Sequence, residues 1–380
     1  DEASMIDLDL MDSVLAALPP SARLVLLGDK DQLASVDAGA VLGDLCSDAE
    51  LGLYSAATID WLSASAGEIV RAPDLQTADG QGDPLAQQTV MLRYSRRFDA
   101  NQGIGRLARL VNEKNAGQAR LLLDDLPEQL FDLKLRSEQD SALGKLIIDG
   151  HPAAKDTPPG YRHYLTQLHS KRPAASNGWD SDVWALWAGN VLSAFDEFRL
   201  LCALRAGPWG VEGLNQRVAA DLKRQGLISQ DQGWYEGRPV LVTRNDYGLG
   251  LMNGDIGIAL NLPLPDVDIP GQSKLRVAFA RNDGSGGVRF VLPSRLTEIE
   301  TVFAMTVHKA QGSEFEHTAL LLPPQRSPVL TRELIYTGIT RAQRVFTLLT
   351  SSDGIWQVAI TQRVQRASGL RQALDRLTHL

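Results

Sequence analysis

The hydrophobic period of this chain changes midway, and that change constrains the fold more than any other feature. Over residues 238–292, apolar and polar side chains alternate in PVLVTR, DIGIAL, LRVAFAR and VRFVLP. This is the two-residue period of half-buried antiparallel strands. Asn253-Gly254 reads as a two-residue hairpin turn between the first two of these, and the Gly-rich stretch 284–287 as a later turn. Outside the block the grammar is different. Residues 5–18 (MIDLDLMDSVLAAL) carry apolar side chains at helical spacing up to Pro19-Pro20. The run RLVLL at 23–27, ending in Gly28-Asp29, reads as a buried strand of a parallel sheet. Helices are expected at about 105–112, 195–204 and 214–223, and strands near 302–305, 318–322 and 345–349. Helices set between strands give the βαβ pattern, so the expected fold is α/β with a small antiparallel module inserted late in the chain. Residues 47–88 lose all pattern and mark the best domain boundary, whereas 124–190 cannot be ordered from the sequence.

At 380 residues the chain has room for two or three domains of ~100–200 residues. Its 38 Lys+Arg against 46 Asp+Glu give a net charge of −8. That balance argues against a protein that coats nucleic acid, yet is compatible with one that grips a single strand in a narrow channel, where local charge decides. Arginines cluster at Arg93, Arg96, Arg97, Arg106 and Arg109, and again at Arg363, Arg366, Arg371 and Arg376. Cys46 and Cys202 stand far apart without metal-ligand spacing, so no disulfide framework or zinc site is expected, and a reducing, cytoplasmic compartment is the default. No apolar run approaches the ~18 residues of a membrane span, so no membrane role is expected. The chain opens without Met inside a motif and reads as a fragment.

Five stretches could carry chemistry. Asp1-Glu2-Ala3-Ser4 sets an acidic pair before a helix. Such a pair lets Asp1 hold Mg²⁺ through water while Glu2 polarises the attacking water in phosphoanhydride hydrolysis, although a solvated acidic pair is the commoner case. Gly28-Asp29-Lys30-Asp31-Gln32 places Gln32 where it could bond a terminal phosphate oxygen. LRYSRRF at 92–98 offers Arg97 for a phosphate contact, since the planar fork of arginine suits phosphate. The GIGRLA match at 103–108 to a dinucleotide fingerprint is rejected, because no acidic residue lies at the right distance in a strand-like context. Residues 306–315 (TVHKAQGSEF) crowd hydroxyl, imidazole, amine, amide and carboxylate groups into one run that no core could absorb. Finally, in LIYTGITRA at 334–342, Thr337, Thr340 and Arg341 recur on one helical face, and Arg341 fits an arginine finger. Surface arginines and a solvated turn are the plain alternatives at these sites.

In order, DEAS, LLGDKDQLASVDAGAVLGDL, LRYSRRF, AMTVHKAQGSEFEHTALLLP and LIYTGITRAQR resemble the motifs of superfamily-1 helicases. FRLLCALRAGPWGVEGLN and GRPVLVTRNDYGLGLMNGDIGIAL resemble the RecD family, the alpha subunit of exodeoxyribonuclease V, in particular. The resemblance implies two RecA-like parallel-sheet domains, the first truncated over 1–88 and the second over 89–380, with an SH3-like β-barrel inserted at 236–298. It implies ATP and Mg²⁺ as cofactors and single-stranded DNA as track. Asp1 and Glu2 take the metal and water-activating roles, Gln32 senses the γ-phosphate, and Arg97 and Arg341 are the two arginines of the second domain. Gly312 and Glu314 match the segment meeting the nucleotide, and Thr306 and His308 match positions lining the DNA path. Translocation from 5′ to 3′, RecB and RecC as partners, and work on double-strand breaks and linear DNA are implied as well. One departure stands out. The P-loop pattern GxxxxGK followed by Ser or Thr is missing, for the Gly-Lys pair Gly144-Lys145 is followed by Leu146. This chain by itself is therefore expected to be inactive, and a non-hydrolysing DNA-binding or assembly module is the alternative.

Overall fold

The computed structural model describes residues 1–34, 41–67, 83–92, 94–95, 98–99, 101–125, 128–153, 160–174, 181–264, 272–281, 286–363, 369–370, 372–373 and 376. They fall into two compact units, Asp1–Asp99 with Arg363–Leu380, and Ala100–Gln362.

In the first unit a 3₁₀ turn, Ala3–Met5, precedes α1 (Leu8–Ala17), α2 (Val41–Leu45) and α3 (Ala56–Ala66), and another, Ala86–Gln88, follows them. Asp7 caps α1 by accepting from the Leu10 amide at 2.8 Å, and Ser55 caps α3 by accepting from Thr58 at 3.2 Å. Gly67 ends α3 at φ 70°, a left-handed turn that glycine adopts without a Cβ clash. So the stretch read as patternless contains a helix, announced only by its caps. The run 23–27 is not the expected buried strand. It carries no ladder, and Leu24, Val25 and Leu27 are exposed, Val25 at 73%. An apolar run becomes a parallel strand only when neighbouring strands supply its hydrogen bonds, and the described residues of this unit contain no strand.

The second unit begins with α4 (Gly103–Asn112) and α5 (Ala116–Asp125), then β1 (Leu130–Lys134), α6 (Ser141–Asp149), α7 (Arg162–Ser170), α8 (Ser181–Asp196), β2 (Phe198–Cys202) and α9 (Val211–Arg224). The antiparallel strands β3 (Pro239–Val242), β4 (Ile256–Pro263), β5 (Ser273–Ala280), β6 (Val288–Val291) and β7 (Ile299–Thr301) follow. The chain then returns to α/β order with β8 (Ala304–Thr306), β9 (Phe315–Leu321), α10 (Arg332–Thr340), β10 (Ala342–Thr350) and α11 (Ile355–Thr361). Strands β1-β10-β9-β2-β8 form one parallel sheet, and β6-β5-β4-β3-β7 one antiparallel sheet.

The expected helix over 195–204 is corrected: α8 stops at Asp196, and β2 is a strand buried at every residue between β9 and β8. A strand covered on both faces and a buried helix segment show the same unbroken apolar run, so periodicity could not separate them. Nor is Asn253-Gly254 a two-residue hairpin turn. Strand β3 ends at Val242 and β4 starts at Ile256, and residues 243–255 form a loop with its own bridge between Asp246 and Leu251. Gly254 does take a positive φ of 102° and donates to the Val242 carbonyl at 2.9 Å, so the pair turns the chain at the foot of a longer loop.

The antiparallel module encloses its own core of Val240, Val242, Leu251, Ala259, Val277, Phe279 and Val291. Its two ends lie together, because Val240 pairs with Thr301 across β3 and β7. Beneath the parallel sheet, Tyr161 stacks on Phe195 and meets Phe198 and Phe303 edge-on, while its hydroxyl donates to the Phe303 carbonyl.

His317 on β9 is fully buried, with Nε2 at 2.8 Å from the Thr347 hydroxyl. Burial, with a smaller push from His151, drives its pKa from 6.5 down to about 3. The folded chain thus resists a proton that the unfolded chain accepts below pH 6.5. Stability from this group is complete above that pH and is lost as pH falls towards 3, with a slope of at most about 1.4 kcal/mol per pH unit. Denaturant midpoints measured between pH 7 and 4 are expected to fall more steeply for the parent than for His317→Gln. Equal slopes would remove His317 as the cause.

Candidate functional site

Each unit gathers part of the sequence-predicted set. In the first, the Ala3 amide donates to the Leu27 carbonyl at 2.8 Å, which ties the acidic pair to the Gly28–Gln32 loop. A Cβ on Gly28 would lie 2.8 Å from Leu42, 3.0 Å from the Ala3 nitrogen and 3.1 Å from that of Ser4, so the close approach requires glycine here. Asp1 and Glu2 are exposed, and Asp1 Oδ1 accepts from the Glu2 amide at 3.0 Å. Glu2 sits at φ 55°, a left-handed conformation seldom adopted by non-glycine residues. Gln32 Nε2 donates to Asp29 Oδ2 at 3.2 Å, while its buried Oε1 has no hydrogen-bond partner. Lys30 is paired with Asp31 at 3.0 Å and Glu50 at 2.9 Å, which fixes the outer side of the loop.

Among the described residues, no group of three or more His, Cys, Asp or Glu is placed to hold a metal. A single exposed carboxylate, Asp1, nevertheless fits Mg²⁺, which keeps several waters and takes its remaining ligands from phosphate oxygens. Arg97, like Arg93 and Arg96, lies outside the described residues.

In the second unit, residues 306–315 run from one end of the parallel sheet to the other. Thr306 is level with Cys202 on β2, which is level with Leu321 at the far end of β9. Phe315, where β9 starts, lies six residues earlier along that strand, or ~20 Å at ~3.3 Å per residue. Thr306 and His308 therefore stand at the carboxyl ends of the strands, whereas Gly312 and Glu314 stand at the amino ends. A tight turn starts the crossing: the Ala310 amide donates to the Thr306 carbonyl at 3.2 Å, and the Lys309 amide to Thr306 Oγ1 at 3.2 Å. Lys309 Nζ donates to Asn253 Oδ1 at 3.1 Å, which links the turn to the loop of the antiparallel module. Gly312, at φ 75°, bends the chain back towards β9.

Arg341 is brought to the same end as Gly312 and Glu314. It ends α10, is 3% exposed, and donates from Nη1 to the Ser313 carbonyl at 3.0 Å and from Nε to the Thr337 carbonyl at 3.3 Å. Its own carbonyl accepts from the Phe315 amide at 2.8 Å. Gln343 Nε2 reaches Glu314 Oε2 at 3.0 Å, a contact that sequence reading missed because an alternating strand residue carries no motif. The second unit thus presents a buried guanidinium, an exposed carboxylate and a left-handed glycine at one end, and a hydroxyl, an imidazole and an amine at the other. The first end suits an anionic ligand with a polar sugar, and the second suits a strand of phosphates and bases.

The family described as UvrD-like helicase C-terminal domain matches residues 301–349, and that described as AAA domain matches residues 1–60. RecBCD enzyme subunit RecD of Haemophilus influenzae is 37% identical over 99% of this chain and 54% of its own length. The ATP-dependent RecD2 DNA helicase of Deinococcus radiodurans is 26% identical over 98% of this chain and 39% of its own. A solved structure of Pif1 helicase from Candida albicans aligns with 93% of this chain and 100% of that one, at 12% identity and a TM-score of 0.30. The chain spans about half the length of the RecD subunit it matches. The resemblance to RecD read from the motifs holds along almost the whole chain.

Proposed function

We propose that this chain is the motor portion of a RecD-type, ATP-dependent DNA helicase subunit, moving 5′ to 3′ on single-stranded DNA and assembling with RecB and RecC. One observation carries the reading: the segment 306–315 joins the two ends of the parallel sheet, with Thr306 and His308 at one and Gly312 and Glu314 beside Arg341 at the other. A helicase must convert events at a nucleotide into movement of a strand, and so short a crossing leaves little slack between the two. On this reading 1–88 is the remnant of one RecA-like domain and 89–380 the second, with the module at 236–298 inserted. The likeness to RecD subunits along 99% of the chain supports this assignment.

The chemistry is phosphoanhydride hydrolysis. Glu2 takes a proton from the attacking water and Gln32 orients the γ-phosphate oxygens. Arg97 and Arg341 neutralise charge on the transferring phosphoryl group, while Gly312 and Glu314 meet the ribose and phosphates. Asp1 would hold Mg²⁺, which would neutralise phosphate charge. Thr306 and His308 face the DNA.

The 380 residues contain no P-loop. Catalytic positioning of the phosphates needs that cradle. The purified chain alone is therefore expected to show ATPase at background, with activity returning when a P-loop-bearing segment is joined upstream of Asp1. ATPase that is stimulated by single-stranded DNA in the purified chain, and abolished by Glu2→Gln, would overturn this expectation. The missing cradle also favours a second reading for the isolated chain, a DNA-binding or assembly module without hydrolysis. Retained binding of single-stranded DNA in the absence of turnover is its signature.

A further inference from the structure

Arg199 on β2 is among the largest fully buried side chains, 0% exposed, in a strand otherwise made of apolar residues and a cysteine. Burying a guanidinium is costly unless its donors are paired. Here Nη2 donates to Asp196 Oδ1 at 2.8 Å and Nη1 to the Val302 carbonyl at 3.3 Å, while the buried Nε has no hydrogen-bond partner. Its Cζ lies over two rings, 4.2 Å from the centroid of Phe195 and 4.9 Å from that of Phe315.

Those four partners belong to three different parts of the unit. Phe195 and Asp196 end α8, the helix that packs on β4, β5 and β6 of the antiparallel module. Val302 follows β7, the strand by which the module rejoins the parallel sheet. Phe315 begins β9 directly after Glu314, and its amide is held by the Arg341 carbonyl while the Arg341 guanidinium holds Ser313. We infer that Arg199 is a positioning residue for the nucleotide-facing segment 312–315, bracing it through Phe315 against the helix and strand that carry the module. The inference rests on the nucleotide reading of that segment. Arg199 touches no ligand itself and acts only by fixing where Phe315, and hence Ser313, Glu314 and Arg341, are placed.

Stability alone does not require a charge at this position. Asp196 keeps 57% of its side chain exposed, so replacing Arg199 strands no buried carboxylate, and the cost is that of one carbonyl, Val302, left without this donor. Methionine fills the space yet can neither donate to the Val302 carbonyl nor set a cation over the Phe315 ring. Arg199→Met therefore separates positioning from packing.

The test uses the complete parent protein, assembled with its partners, in a steady-state ATPase assay with single-stranded DNA, alongside thermal melting. Arg199→Met is expected to melt within a few degrees of the parent and to raise the KM for ATP by ~10-fold, with kcat changed much less, an effect within the range seen for residues remote from a ligand. Arg199→Lys keeps the charge but not the planar fork, and is expected to raise KM as well. A KM within twofold of the parent in Arg199→Met overturns the inference. Should Arg199→Met fail to fold, Phe315→Leu decides: a raised KM supports the brace and an unchanged one overturns it. Arg341→Ala in the same assay keeps the two claims apart. If it leaves turnover intact, the nucleotide reading has failed, whereas loss of turnover in Arg341→Ala with no change in Arg199→Met refutes the brace alone.

Discussion

Replacing Arg341 by alanine in the complete parent protein is expected to lower ATP turnover by ~10³-fold, the scale of a lost arginine finger, with much less effect on nucleotide affinity. On the proposed reading its charge answers the charge that develops on the transferring phosphoryl group, and its Nη1 donor also fixes the Ser313 carbonyl between Gly312 and Glu314. Alanine removes both. Arg341→Lys, which restores a point charge without the fork, is expected to recover only a small part of the activity. Because Arg341 is 3% exposed and its donors bond backbone carbonyls, the substitution also leaves acceptors unsatisfied, at ~1–3 kcal/mol. Melting curves must therefore accompany the kinetics. Turnover within a few-fold of the parent in a folded Arg341→Ala protein would remove the finger assignment. Arg97→Ala is expected to match it in size.

Excising the antiparallel module should separate ATP hydrolysis from strand separation. The two ends of the module already meet, since Val240 pairs with Thr301 and Arg238 Nε donates to Thr301 Oγ1 at 3.0 Å. A short Gly/Ser linker from 238 to 302 can therefore close the chain without moving β8. The module has its own apolar core around Phe279 and Val277, so its removal does not open the core of the parallel sheet. It does uncover the face of α8 that packs on β4, β5 and β6, where exposed apolar side chains need polar replacements. The Lys309–Asn253 bond is lost as well, which frees the turn that starts at Thr306. In the parent carrying this deletion, ATPase stimulated by single-stranded DNA is expected to persist while duplex unwinding falls sharply. A soluble deletion variant that unwinds at the parental rate would assign strand separation elsewhere. Loss of both activities with aggregation would mean that the module serves folding.

The elements legible in the sequence were those whose pattern is local. The alternation of 238–292, the strands near 318 and 345, and the helix before Arg341 all appear close to where they were expected, because burial of one face imposes its period directly on the residues. Asp7 and Ser55 cap helix starts in the structure, signals that the periodicity alone does not carry. Errors arose where the same local pattern has two tertiary outcomes. RLVLL is exposed rather than a strand, and FRLLC is a strand rather than a helix, because an apolar run records only that it prefers burial and not what will pair with it.

Something similar holds for the candidate site. Residue types and spacing within 306–315 and 334–342 determined which side chains had chemistry to offer: Arg341, Glu314, Thr306 and His308 were identifiable from their neighbours in the chain. Only the tertiary structure decided which of them meet. The parallel register of β9 and β10 puts Ala342 opposite Phe315, so Arg341 closes on Ser313, while the crossing from β8 carries Thr306 and His308 to the other end of the sheet. Gln343 and Arg199 stayed invisible because their partners, Glu314 on one side and Val302 and Phe315 on the other, come from distant parts of the chain. Hydrophobic period and residue chemistry are properties of a few consecutive residues, whereas strand register and the partners of a buried charge are fixed by packing among segments that the chain brings together only on folding.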